Sequence, residues 1–145
     1  MNQSASTMLI ILVLISSCVS PPDYTDGLLE NIPAVVNETD YFSLSILGDD
    51  YTDEKEWDIA LTTVDTDIIL STLVIQDLTI NSSDSSYLYL LRESGDTIFT
   101  AGLFSELVWT SQDSIGSIGS PKKVAFSWNN FTGRVEYHII KNPNN

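Results

Sequence analysis

The stretch VAFSWNNFTGRVEYHI, residues 124–139, carries the clearest periodicity in the chain. Val124, Phe126 and Trp128 alternate with Ala125 and Ser127, and Val135, Tyr137 and Ile139 alternate with Glu136 and His138. A side-chain period of two is the mark of a strand that buries one face. Between the two runs, Asn129 to Gly133 collects residues that favour turns, so the stretch reads as two strands joined as a hairpin.

The same period recurs upstream. Phe42, Leu44 and Ile46 alternate with Ser43 and Ser45, and Gly48-Asp49-Asp50 is expected to end that strand. A second strand is expected over Trp57, Ile59 and Leu61, with Asp65-Thr66-Asp67 as the next turn. Ile68 to Ile80 is apolar and β-branched, which suits a pleated backbone. Asn81 to Ser86 reads as a polar loop. Tyr87 to Arg92 and Thr97 to Ala101 then read as a hairpin around Ser94-Gly95-Asp96, where the glycine supplies the positive φ of a short connection. Ala101 to Trp109 is the one segment expected to form a short helix, and Ser111 to Ser120, with Gly116 and Gly119, a flexible loop. Seven or eight short strands with frequent turns predict an all-β chain, a single antiparallel β-sandwich of immunoglobulin-like architecture over residues 41–141 and a tail over 142–145.

Ahead of this domain, MLIILVLISSC, residues 8–18, is an apolar run closing on small residues and the only cysteine. The run is far shorter than the roughly 20 apolar residues of a spanning helix and has the order of a secretory signal. Ile15, Ser16, Ser17 and Cys18 resemble the lipobox of prokaryotic lipoproteins, an aliphatic residue and two small residues before cysteine. The resemblance implies a signal peptide over 1–17 and cleavage before Cys18, whose sulfur then carries a diacylglyceryl group. Acylation contributes about 0.8 kcal/mol per buried methylene, so two long chains, palmitate or similar, hold a protein on a membrane. Residues 18–40, with Pro21, Pro22, Gly27 and Pro33, read as a flexible lipidated tether.

Charge narrows the partners. The chain has 20 acidic residues against 6 basic ones, a net charge of −14. Nucleic acid, which is bound by Lys and Arg neutralising phosphates, is excluded by that field. Anionic lipid headgroups are disfavoured likewise, so contact with the membrane falls to the lipid anchor. A surface or envelope protein, or a glycan, remains as the expected partner.

The densest acidic run includes Asp49, Asp50, Asp53, Glu54 and Glu56, read as a loop that offers oxygen ligands to a structural Ca²⁺, without EF-hand spacing. Asp65 and Asp67 would join it only if the loops converge. No other cofactor is expected. His138, the single histidine, alternates onto the face opposite Val135, Tyr137 and Ile139, and no Gly-x-Ser-x-Gly elbow surrounds a serine, so no catalytic residue is assigned. Trp57 and Trp128 lie in phase with core residues, whereas Trp109, beside the Ser/Gly-rich segment, is the candidate exposed aromatic for binding. Asn37, Asn81 and Asn130 open N-x-Ser/Thr sequons and are candidate glycosylation sites. The function expected is that of a lipid-anchored cell-surface lipoprotein whose non-catalytic sandwich binds or makes structural contact. The alternatives are an accessory subunit of a surface appendage or envelope complex, pilin-like in architecture, and a secreted hydrolase.

Overall fold

The structure, a computed structural model, describes residues 27–80 and 85–143. Cys18, the cleavage-site residues Ile15 to Ser17 and the sequon residue Asn81 lie outside the described residues. Seven strands follow in order: β1 (Ala34–Asn37), β2 (Tyr41–Asp58), β3 (Ile68–Thr79), β4 (Tyr87–Leu91), β5 (Thr97–Gly102), β6 (Leu107–Ser114) and β7 (Lys123–Lys141), with one helical turn, α1 (Ile115–Ile118), before β7. Every pairing between them is antiparallel. The chain is all-β, as the alternation predicts.

Two strands organise the whole. β2 has 18 residues and β7 has 19, and they pair along nearly their full lengths. Tyr41 to Gly48 pairs with Ile140 to Gly133, beside β1 on one side and β3 then β6 on the other. Asp53 to Asp58 pairs with Trp128 to Lys123, and β4 and β5 continue from there. The sheet therefore folds at the middle of β2 and β7 into two layers, with the architecture of a sandwich and a seam of two shared strands. Phe42, Leu44, Leu73, Val135 and Tyr137 from one layer and Leu88, Leu90, Phe126 and Trp128 from the other form one buried core.

The seam corrects two sequence expectations. Gly48-Asp49-Asp50 does not end a strand, and Asn129 to Gly133 is no hairpin turn. Each is a β-bulge inside a continuous strand. Gly48 pairs Gly133, Tyr51 pairs Phe131, and Asp53 pairs Trp128, so β2 gains one residue and then β7 gains one. Register is restored beyond the corner, while the inward phase of both strands flips: Phe42, Leu44 and Ile46 give way to Tyr51 in β2, and Trp128 to Phe131 in β7. Asp50 at φ 50° and Asn130 at φ 50° take the left-handed conformations, which these residue types tolerate.

Side chains satisfy the backbone groups that the bulges free. Thr132 Oγ1 accepts from Asp50 N at 3.0 Å, Thr52 Oγ1 accepts from Asn130 N at 2.9 Å, and Asn31 Oδ1 accepts from Asp49 N at 2.8 Å. At Gly48 an added Cβ would lie 2.6 Å from the Phe131 ring, so the close crossing of β2 and β7 needs glycine there.

Other boundaries move as well. The expected tether is part of the sheet from its last turn, since β1 pairs β2 over Ala34 to Asn37 and Glu30 bridges Leu47. Ile59 and Leu61 are buried but follow the end of β2 instead of lying in a second strand. The helix expected over Ala101 to Trp109 is absent. Those residues finish β5, turn through 103–106 and enter β6, whose partner β3 decides their conformation. Ser111 to Ser120 is likewise the end of β6 followed by α1. The hairpin of β4 and β5 stands as expected, with Gly95 at φ 86°. Among the described residues no helix is long and apolar enough to cross a membrane.

Candidate functional site

The acidic run is a strand, and that scatters its carboxylates. Alternation turns Asp53 towards the inner side of β2 and Glu54 and Glu56 outward, while Asp49 and Asp50 stand exposed on the bulge. Asp53 pairs with Lys55 at 3.0 Å and accepts from the Tyr51 hydroxyl at 3.0 Å, and Glu56 pairs with Lys123 at 2.6 Å. Asp67 accepts from Val64 N and from Asn142 Nδ2, each at 2.8 Å. Among the described residues no three of His, Cys, Asp and Glu gather as a metal would require.

These pairings hold the groups charged. The Lys55 ammonium and the Tyr51 hydroxyl keep the Asp53 carboxyl below the ordinary carboxylate range. Tyr51 and then Asp53 raise the Lys55 ammonium, and Glu56 raises Lys123. The shifts run away from neutrality.

His138 faces outward from β7. Its Nδ1 lies 2.9 Å from the Tyr41 hydroxyl and its Nε2 lies 3.7 Å from Glu136. Trp128 is buried in the core and Trp57 packs edge-on against Phe126, as their phase predicts. Trp109 is not the free aromatic expected of it: Phe99, across the mouth of the sandwich on β5, stacks on its face at 4.4 Å and 10°. Two sequon asparagines have structural duties. Asn37 bridges Asp58 O and Ala60 N, both at 2.8 Å, and Asn130 Oδ1 accepts from Thr52 Oγ1 at 3.0 Å.

Trp109 and Phe99 line a small hollow of about 190 Å³ with Leu90 and Asp113, and a larger concave feature lies on the outer side of the layer formed by β2, β7, β4 and β5. Three cross-strand rows build it. Glu54 stands opposite Ser127 and Ser127 opposite Tyr87; Glu56 opposite Ala125 and Ala125 opposite Tyr89; Asp58 opposite Lys123 and Lys123 opposite Leu91. Small residues on β7 leave a floor between a carboxylate wall on β2 and an aromatic wall on β4. A hollow of about 570 Å³ lies over Ala125 and Ser127, and a second of about 410 Å³ continues from it at Leu91, between Asp58, Arg92, Lys122 and Lys123. Tyr87 and Tyr89 stack at 6.1 Å, and Phe104 meets Tyr87 edge-on at 5.2 Å, which braces the wall.

No protein-family model matches the chain. No curated protein matches it either. Among solved structures, the chain is similar to the VP2 subviral particle of infectious bursal disease virus at 10% identity and a TM-score of 0.32, over 76% of this chain and 31% of the viral one. The chain thus spans about a third of that protein's length.

The trough was not singled out from the sequence, although one signal for it is present. Leu88 and Leu90 alternate with Tyr87 and Tyr89, so burial of the leucines puts both tyrosines on the outer face.

Proposed function

We propose that the protein is a lipid-anchored cell-surface lipoprotein whose β-sandwich works by binding or structural contact, without chemistry of its own. The observation that supports binding is the outer trough, where an aromatic wall faces a carboxylate wall across a small-residue floor. General acids and bases work best with pKa values near the operating pH. The ion pairs at and behind this trough displace Asp53 downward and Lys55 and Lys123 upward, which suits fixed contact groups better than proton transfer. The anchor is supported by Ile15-Ser16-Ser17-Cys18 and its resemblance to a lipobox.

Detergent phase partition of the full chain beside Cys18→Ala, with intact mass on both, tests the anchor. The expected result is a lipid-bearing wild type in the detergent phase and an aqueous variant. Equal partition, or a mature chain that begins at another residue, would sink it.

A second reading, an accessory subunit of a surface assembly, is favoured by β6. Among the described residues it pairs only with β3, and its outward side chains are Val108, Thr110, Gln112 and Ser114. The opposite edge of that layer, β1, has four residues, and the outer segment of β2 carries Glu54, Glu56 and Asp58. Charges and brevity are the usual guards of a sheet edge, and β6 has neither outward charge nor brevity. Val108 is 72% exposed, so Val108→Lys should leave the fold intact and abolish any self-association seen by sedimentation.

A further inference from the structure

We propose that the trough along β7 binds a neutral saccharide chain, with pyranose rings on the Tyr89 side and hydroxyls shared among the flanking charges. This deepens the binding reading and rests on it. Three features carry the ligand class.

The first is charge balance. Lys55, Arg92, Lys122 and Lys123, four of the chain's six basic residues, line the trough. They face Glu54, Glu56, Asp58 and Glu93, so the trough is close to neutral on a chain of net charge −14. A polyanion would be repelled by the surrounding field and a cation would compete with the resident ammonium groups. A ligand with many hydroxyls and no charge finds donors and acceptors side by side.

The second is the division of the walls. A sugar ring presents C–H groups on its faces and hydroxyls around its rim. Tyr89 offers an aromatic surface to the faces, and the electron-rich ring attracts polarised C–H groups. Glu54 and Glu56 stand across the floor as acceptors for the rim.

The third is shape. The floor is Ala125 and Ser127, where larger side chains would close the space. The two walls are two strand spacings apart, about 10 Å, and the acidic wall from Glu54 to Asp58 runs about 14 Å. The trough is open at its top and suits an extended chain better than an enclosed small molecule.

The experiment titrates the full chain, held in detergent micelles, with neutral oligosaccharides of glucose, mannose, galactose and N-acetylglucosamine, and with a heparin fragment as anionic probe. At least one neutral series is expected to bind. Tyr89→Ala should weaken it about tenfold or more, and Tyr89→Phe, which keeps the ring, should stay within about threefold. Ser127→Trp should block it by filling the floor, with an unchanged circular dichroism spectrum. Heparin binding tighter than every neutral probe, binding indifferent to Tyr89→Ala, or no neutral binding up to about 10 mM each overturns the proposal. If Tyr89→Ala removes a protein crosslinked at the cell surface while no saccharide binds, the binding module stands and the saccharide falls. Loss of the anchor is read separately, by partition.

Discussion

Tyr137 shows how much one core residue can set the response of the fold to pH. It is buried on β7 with its hydroxyl beside Ser71, and among the described residues no group meets that hydroxyl in full hydrogen-bond geometry. Burial pushes its ionisation far above the ordinary range, with Ser71 opposing and Asp113 adding to the shift. The sign follows from linkage. Above about pH 10 the unfolded chain loses this proton and the folded one keeps it, so stability present below that pH declines as pH rises. Urea unfolding should show that decline above pH 10, by up to about 1.4 kcal/mol per pH unit from this residue, and Tyr137→Phe should remove that share. At pH 7 the same variant should gain up to about 1 kcal/mol, because it removes a buried hydroxyl without a partner. A loss of that size instead would show that Tyr137 and Ser71 are hydrogen-bonded, directly or through a water.

At the scale of elements, alternation made the inner faces legible and turn chemistry did not make the corners so. Phe42, Leu44 and Ile46, and Val135, Tyr137 and Ile139, are buried as their period demands. Gly48-Asp49-Asp50 and Asn129 to Gly133 were misleading because glycine, aspartate and asparagine serve a hairpin and a bulge through the same freedom of φ. What separates the two is the partner strand, and pairing of Gly48 with Gly133 lies 85 positions away in the chain. β6 was missed for a related reason: Ser111, Gln112 and Asp113 have little strand preference, and their conformation comes from pairing with β3. The candidate site suffered most, since Asp49 to Glu56 becomes a strand and the trough needs three strands at once. The bulge has a measurable cost. Asn130→Ala puts alanine at φ 50° and removes the acceptor of the Thr52 hydroxyl, so unfolding should become easier by about 1–2 kcal/mol, and Asn130→Gly should recover part of it. If alanine and glycine cost the same, the side-chain bond matters and the backbone does not.

Across the whole molecule the field is lopsided. With 20 acids and 6 bases, and with Lys55, Lys123 and Arg134 already held by Asp53, Glu56 and Glu136, most carboxylates have no cation nearby to offset them. Folding draws these charges together and so opposes itself. Exposed ion pairs contribute little, about 0–1 kcal/mol each, and salt weakens them over the same range in which it screens the repulsion. The repulsion involves more charges and longer distances, so screening should favour the folded state. We expect Tm at pH 7 to rise by a few degrees from 10 mM to 0.5 M sodium chloride, with most of the rise complete near 0.15 M, where the Debye length falls to about 8 Å. Chloride is the appropriate salt, because sulfate stabilises by exclusion from the surface as well. A falling Tm would mean that the ion pairs at the trough, Lys55 with Asp53 and Lys123 with Glu56, outweigh the repulsion of the chain. In that case the near-neutral trough would be a stabilising feature of the seam, and the charge balance that argues for an uncharged ligand would have a structural cause instead.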